Sequence, residues 1–317
     1  MKNFISSFSL FSAIFFILSN SCFAAHKYYW KPAGSSRSFN TAGNWRVDSC
    51  TGSASANVPG STDTILFSNC SNKECHINAN ASVASVFSLG TYNDTLYQDN
   101  GYTFTFEQAS LKGGVFMGGN SAISCTKEIL IDGMAFKSTS DVFTITGDFT
   151  YKTGGFTHNN GKLVFNKGAS SNTVISSTSN SVTLSLYKAE FGAPSHPTTF
   201  VVRNIDMQVN NELSITGDSS LLLNSNTSSI IQAKGDVKSS NTNSTGGGSC
   251  TININGTGSQ TWSDVSGSDA TGKFPNVKVN KSGGTLSLSG TIAMGGSTEL
   301  NYVAGTLSAG TSSTTTM

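Results

Sequence analysis

Apolar residues recur along this chain at a fixed interval of 20 residues. Phe116, Phe136 and Phe156 follow one another at that interval. Three apolar pairs keep the same interval, namely Ile123/Cys125, Phe143/Ile145 and Leu163/Phe165. Short alternating runs separated by Gly, Asn and Ser turns are typical of stacked β-coils, because each coil buries its apolar face on its neighbours. The pattern therefore predicts an all-β parallel β-helix, or β-solenoid, which we expect to be right-handed.

Longer similarities indicate that the array continues past residue 200. Ile145-Thr146-Gly147-Asp148 recurs as Ile215-Thr216-Gly217-Asp218, and the run from Phe165 to Ser170 is echoed by the run from Ile254 to Ser259. Polar stretches from Asn172 to Asn180 and from Ser239 to Ser249 are predicted to be loops that leave the stack. We expect Cys125 to be a buried thiol, because it occupies the inward position that Ile145 and Phe165 take in later coils.

The pattern divides the chain into three parts. Residues 1–24 are predicted to be a signal peptide, residues 25–80 an N-terminal cap, and residues 81–317 the solenoid repeats, which we expect to be truncated at the C-terminus. Trp30 and Trp45 would help the cap to cover the first coil, whose edge would otherwise be unpaired. The repeats run to the last residues without a visible cap, so we expect self-association through the solenoid ends.

The first residues have the features of an export signal. Lys2 is followed by an apolar stretch from Phe4 to Leu18 and by a small-residue site ending at Ala24, after which we expect cleavage. An acylated Cys22 is the alternative, although Ser19-Asn20-Ser21 is a poor lipobox. No segment of the mature sequence is apolar enough to span a membrane. The expected location is secreted or on the outer surface of a bacterial cell.

Charge argues against nucleic acid as a partner. Charged residues make up 12% of the chain, with 19 Lys+Arg against 18 Asp+Glu, so no basic field exists to attract phosphates. The 20 phenylalanines can bury enough surface to fold a chain that is otherwise rich in Gly, Ser, Thr and Asn. We therefore expect an ordered chain whose surface consists of hydroxyls and amides.

Three cysteines crowd the N-terminal region. Export would place Cys50, Cys70 and Cys75 where disulfides persist, so we predict one bridge among them, most plausibly from Cys50. A zinc site at Cys70, Cys75 and His76 is the alternative, but that spacing lacks a second ligand pair. No metal and no cofactor are predicted.

The sequence contains no dense group of catalytic residues. Asp132, Asp148 and Asp218 are the nearest candidates for a pair of carboxylates, but Asp148 and Asp218 follow glycine in a turn-like Thr-Gly-Asp. We therefore predict no catalytic residue and a protein that is not an enzyme. The alternative is a carbohydrate-binding or polysaccharide-processing β-helix module, with sugar rings stacked on Trp30, Trp45 and Trp262.

Residues 28–317 resemble the β-strand-repeat segments of large exported bacterial surface proteins, including autotransporter passengers and filamentous adhesins. The resemblance rests on Trp30, Asn44-Trp45, Val58-Pro59-Gly60, the run from Asp63 to Phe67, Gly154-Gly155-Phe156-Thr157, the run from Gly256 to Trp262, the run from Phe274 to Val277, and the run from Lys281 to Leu286. It implies an extracellular rod that displays or adheres. The partner implied is a glycan or a host or matrix surface.

Overall fold

Nearly all regular structure is β-strand in a computed structural model of the chain, which describes residues 25–167, 172–177, 182–225, 228–265, 271–310 and 314–316. A 3-10 turn at Ala42–Asn44 is the one helical segment among those residues. The strands are β1 (Lys27–Trp30), β2 (Trp45–Val47), β3 (Thr64–Phe67), β4 (Cys75–Ile77), β5 (Ala81–Ser88), β6 (Thr95–Gln98), β7 (Phe104–Leu111), β8 (Val115–Met117), β9 (Ile123–Lys137), β10 (Val142–Ile145), β11 (Phe149–Thr157), β12 (Lys162–Asn166), β13 (Asn172–Ser176), β14 (Thr183–Ala193), β15 (Thr198–Arg203), β16 (Asp206–Gly217), β17 (Leu221–Ser225), β18 (Ile230–Ala233), β19 (Asp236–Ser239), β20 (Gly246–Gly247), β21 (Thr251–Ile254), β22 (Gln260–Asp264), β23 (Asn276–Ala293), β24 (Leu300–Ala309) and β25 (Thr314–Thr316).

Strand β9 shows how one coil is built. Its residues 123–125, 129–131 and 135–137 pair with three different sets of neighbouring strands, so the strand turns two corners and contributes to three sides. Gly133 lies at the second corner with φ 119°. A Cβ there would lie 2.5 Å from the carbonyl oxygen of Lys112 in the previous coil, so the corner requires glycine.

The first side, which we call ladder A, is a continuous parallel ladder. One inward position on it passes from turn to turn without a break. Its members are Ala81, Phe104, Ile123, Phe143, Leu163, Ala189, Leu213, Val237, Trp262, Leu288 and Ala309. The members from Phe104 to Trp262 are buried, whereas Ala81 and Leu288 are partly buried and Ala309 is exposed. The buried members stack from turn to turn, which is how the core extends along the axis.

The second side, ladder B, starts at the first strand of the chain. Its inward position is occupied by Tyr28, Ile65, Val86, Ala109, Ile129, Phe149, Ile175, Val202 and Ser225. Strand β2 pairs antiparallel with β1, whereas the rest of this ladder is parallel. The outward side of ladder B carries the grooves described below.

The third side, ladder C, is built in two sections. The upstream section aligns Cys75, Leu96, Phe116, Phe136 and Phe156. The downstream section aligns Leu184, Met207, Ile231, Ile252, Val277 and Leu300. In the upstream section the Phe136 ring stacks on Phe116 at a centroid distance of 4.7 Å and on Phe156 at 5.8 Å. The three phenylalanines that revealed the period therefore form one column.

The predicted parallel β-solenoid is confirmed, with about ten turns. Its right-handed winding and its N-terminal cap stay predictions. The 20-residue period holds from Ile123 through Phe143 to Leu163, but 24 residues separate Ala189 from Leu213 and 26 separate Trp262 from Leu288. The downstream turns are longer because their corners hold extra residues.

Two predictions about the repeats are wrong in part. Residues 172–176 form strand β13 of ladder B rather than a loop, and residues 178–180 of that predicted loop lie outside the described residues. The echo of Phe165 in Ile254 is also misplaced, because Phe165 lies on ladder A and Ile254 on ladder C. Strands of different sides share one alternating pattern, so similarity in sequence did not identify the side.

A disulfide joins Cys50 to Cys70 near the N-terminal end, as predicted for a bridge from Cys50. Cys75 is not part of it and lies buried in ladder C. Cys125 is buried on ladder A, in register with Ile145 as expected. Burial raises the pKa of the Cys125 and Cys250 thiols to about 12, and it raises that of Cys75 as well. These three thiols are held in their unreactive form.

One lysine lies inside the stack. Lys281 is 2% exposed, and its Nζ donates hydrogen bonds to the carbonyl oxygens of Gly256 and Gly258, both at 2.8 Å, and to Oε1 of Gln260 at 2.6 Å. Burial lowers the pKa of its ammonium group. All three donors are satisfied, so the lysine holds the loop at residues 256–258 against the core.

Replacing Phe136 with alanine should lower the free energy of unfolding by about 3–5 kcal/mol, because the ring is 3% exposed and stacked on both sides. Urea denaturation followed by circular dichroism measures the change. Lys137→Ala is the matched control at the neighbouring outward position and should change the free energy of unfolding by less than about 0.5 kcal/mol. Equal losses for the two variants would contradict the stacked core.

Replacing Cys50 and Cys70 together with serine should destabilise the chain by about 3 kcal/mol, since the bridge closes a loop over a sequence separation of 20 residues. A thiol assay on the wild-type mature chain complements this measurement. We expect no reactive thiol in the native protein and three, Cys75, Cys125 and Cys250, after unfolding. A native protein that reacts at any of the three would contradict their burial.

Replacing Lys281 with methionine should cost about 2–3 kcal/mol, because three buried oxygens lose their donor. Lys278→Met, at a partly exposed position of the same strand, is the control and should be nearly neutral. The direction of the pH dependence of stability follows from the lowered pKa. The pKa of Lys281 in the folded chain lies below the usual 10.5, so between these two pKa values the unfolded chain binds more protons than the folded chain. The free energy of unfolding of the wild type should therefore rise, relative to that of Lys281→Met, as the pH approaches 10.5.

Candidate functional site

Outward side chains on ladder B repeat at the same interval as the core residues. Gln108, Glu128 and Asp148 follow one another at 20 residues, and they lie in equivalent positions of successive turns. Asp148 immediately precedes Phe149, which pairs with Ile129 in the turn below. The regular register therefore forms a column of carboxylate and amide groups along the surface.

These residues border a groove with a cavity volume of about 400 Å³, which we call the upstream groove. It is lined by Phe87, Gln108, Ala109, Ser110, Glu128, Ile129, Leu130, Asp148, Thr150 and Lys152. The pairing register sets Ser110, Leu130 and Thr150 in a second outward column, and Phe87 precedes Ser110 in it. The groove therefore crosses four turns and has two partly exposed apolar side chains, Phe87 and Leu130, among polar ones.

Lys112, Asp132 and Lys152 also follow one another at 20 residues, but a register shift pairs Asp132 with Thr153 rather than with Lys152. Nζ of Lys152 lies 3.6 Å from Oδ2 of Asp132, and the Thr153 hydroxyl donates to Oδ1 of Asp132 at 3.4 Å. One edge of the groove thus carries Glu128 and Asp148, while the other carries an ion pair. The lining therefore has two carboxylates, Glu128 and Asp148, against one ammonium group, Lys152, and is negative overall.

The polar groups in the groove differ in whether they already form hydrogen bonds within the protein. Oδ1 of Asp148 accepts a hydrogen bond from the amide of Val174 at 2.9 Å, and the Thr150 and Ser176 hydroxyls lie 3.2 Å apart. The side chain of Glu128 is exposed, and its carboxylate makes neither a hydrogen bond nor an ion pair with the residues that the structure describes. Its carboxylate is therefore available to accept hydrogen bonds from a ligand.

A second groove, of about 360 Å³, lies on the outward side of the same ladder and is called the downstream groove. It is lined by Leu222, Asn224, Gly246, Gly248, Ser249, Asn276, Gly295, Gly296, Ser297 and Thr298. Oδ1 of Asn224 accepts from the Ser249 amide at 3.0 Å, and Asn276 donates to the Ser249 carbonyl at 3.1 Å. Its lining is uncharged, with Leu222 as the exposed apolar side chain.

The structure places two of the three candidate carboxylates on the same face. Asp132 and Asp148 both lie on ladder B, but Asp132 is paired with Lys152 and Asp148 is bonded to a backbone amide of the next turn. Asp218 lies several turns downstream, where its carbonyl accepts from Asn243. Glu128 and Gln108 were missed by the sequence analysis, although their 20-residue spacing was a signal that could have found them.

The hypothesis of glycan stacking on the three tryptophans is wrong. Trp30 and Trp45 are 0% exposed and Trp262 is 2% exposed, so no indole face is open to a sugar. The Trp30 and Trp45 rings pack against each other at 5.0 Å and donate to the carbonyls of Lys73 and Phe39. Trp262 points inward on ladder A and packs on Phe274.

The zinc alternative is also not supported by the geometry. Cys70 is in the disulfide, Cys75 points into the core, and the ring of His76 points outward, where its Nδ1 lies 2.8 Å from Oδ1 of Asp99. Across the part of the chain that the structure describes, no three His, Cys, Asp or Glu side chains are placed to hold a metal ion.

The four histidines lie apart in the described stack. The amide of His26 donates to Asp63, the ring of His76 stacks on Tyr97, and Nδ1 of His158 accepts from the amide of Asn160. Partial burial lowers the pKa of His158. The contacts of His26 and His76 join neighbouring turns, and that of His158 supports a local turn, so none of these three contacts pairs one histidine with another.

Among the residues with described placement, no helix has both the length and the apolar character needed to cross a membrane.

Comparison of this chain with protein-family models, with curated proteins and with solved structures gives no match. Its function must therefore be inferred from the chemistry of its own surface, and in particular from the two grooves on ladder B.

Proposed function

We propose that this chain is an exported, non-enzymatic repeat protein that forms a rod at the outer surface of a bacterial cell or in the medium, where it displays or adheres. The observation that carries the proposal is the unbroken ladder A, in which one position stays in register from Ala81 to Ala309 and is buried from Phe104 to Trp262. At ~4.8 Å per turn, about ten turns extend on the order of 50 Å. Such a fold offers a long lateral surface for contact.

The use of charged side chains supports a structural role. On the outward side of ladder A, Lys162 binds Glu190 at 2.8 Å and Lys238 binds Glu212 at 2.7 Å, in each case from one turn to the next. Burial would raise the pKa of Glu212, but the hydrogen bond and charge of Lys238 lower it overall. These carboxylates are committed to holding turns together rather than to acid–base chemistry.

The export signal and the disulfide support an extracytoplasmic location. The apolar stretch from Phe4 to Leu18 has the composition of a signal peptide. A bridge such as Cys50–Cys70 persists in oxidising compartments and is rare in the cytosol.

Expression of the full chain in a Gram-negative bacterium, beside a version lacking residues 1–24, tests the proposal. We expect the full chain to leave the cytoplasm with a new N-terminus at Ala25 and with Cys50 and Cys70 oxidised. The shortened version should remain inside with both thiols reduced. The purified mature chain should then adhere to matrix-coated plates in a dose-dependent manner.

The same purified chain should release no reducing ends from a panel of polysaccharides. Release that scales with protein concentration would contradict the non-enzymatic proposal. Retention of the full chain in the cytoplasm would contradict the proposed location.

A further inference from the structure

The two grooves lie on one line along the rod. Glu128 and Asp148 precede Ile129 and Phe149, and the same column continues through Val174, which pairs with Val201, which in turn pairs with Asn224. Four inter-turn steps separate Glu128 from Asn224, or about 19 Å at ~4.8 Å per step. Val201, which lies in this column between the two grooves, is 8% exposed, so the column is covered there. A linear molecule parallel to the axis is instead accommodated within the upstream groove, which crosses four turns.

The strands of ladder B have no unpaired edge along this face. Each of the strands from β5 to β17 that contribute to ladder B is paired with a strand on either side. An extended peptide that binds by strand addition needs an unpaired edge, and this face offers none between those strands. A ligand here must be held by side chains.

Those side chains combine small apolar surfaces with hydrogen-bonding groups. Phe87 and Leu130 are partly exposed in the upstream groove, next to the exposed carboxylate of Glu128. In the downstream groove Leu222 is 37% exposed beside Asn224. A sugar ring presents an apolar C–H face and a rim of hydroxyl donors, which matches apolar side chains bordered by carboxylate and amide oxygens.

Charge selects among glycans. Glu128 and Asp148 face Lys152 across the upstream groove, and the downstream groove is lined by uncharged residues. A polyanionic glycan would need a basic surface, which this face does not provide. The lining is therefore suited to a neutral chain.

We propose that ladder B binds a linear neutral glycan along the axis of the rod. Its rings lie over Phe87 and Leu130 in the upstream groove, which share one outward column, and its hydroxyls donate to Glu128. Because the turns are ~4.8 Å apart, a chain laid along the axis meets equivalent positions of successive turns. This inference rests on the proposed surface role and names the ligand class of that surface.

Pull-down of the purified mature chain on cellulose, chitin, curdlan and starch, followed by affinity electrophoresis with soluble oligosaccharides of the retained type, tests the proposal. We expect retention on at least one of the four. Glu128→Gln with Leu130→Ser should weaken it by about tenfold, because the upstream groove loses a carboxylate acceptor and an apolar contact. Long oligosaccharides should bind more tightly than disaccharides.

Ser124→Ala with Thr144→Ala is the matched control, since both residues are outward and in register on ladder A. It should leave retention unchanged, and circular dichroism should show that every variant folds. Retention on none of the four polysaccharides, equal loss in the control, or binding only to heparin or to extended peptides would overturn the proposal. Plate adhesion that survives Glu128→Gln/Leu130→Ser would reject the groove while leaving the surface role in place.

Discussion

The structure depends on one constraint, which is that each residue must fit the residue at the same position one turn away. Backbone hydrogen bonds between parallel strands fix that register, and inward side chains of similar type then stack in narrow columns. Phe136 between Phe116 and Phe156 is the clearest example. The constraint also governs exceptions, because a polar group in an inward position has to find its partners inside the stack. Lys281 meets this requirement with two backbone carbonyls and the amide oxygen of Gln260.

The same register organises the surface. If inward residues align from turn to turn, the outward residues between them must align as well, so a 20-residue interval in the core produces a 20-residue interval outside. Gln108, Glu128 and Asp148 form one such column, and Ser110, Leu130 and Thr150 form another. A groove between two columns is therefore a consequence of the repeat, whereas the choice of side chains in it is free to vary. Binding chemistry resides in that choice.

Much of the fold could be predicted from the sequence, because burial imposes a period that is visible in phenylalanine and isoleucine. The shared position of Ile145 and Ile215 on ladder A and the burial of Cys125 follow from that period. The side on which a strand lies could not be predicted, since all three sides alternate in the same way, and this is why Ile254 was matched to Phe165. The role of the tryptophans was open for a similar reason, because an inward and an outward indole have the same sequence pattern. The groove was missed because carboxylates were sought as a local cluster rather than at the repeat interval.

The acidic residues show how structure and binding are divided on this surface. Oδ1 of Asp148, Asp206 and Asp236 each accepts a backbone amide of the following turn, at 2.9, 3.0 and 2.7 Å. Each of these carboxylates satisfies the amide of a strand residue, so its loss would leave a half-buried donor unpaired. Glu128 has no such task, although it lies in the same column as Asp148. An exposed carboxylate without a partner in the stack can be replaced at little cost to the fold, so the residue at position 128 is free to serve the proposed contact with a ligand.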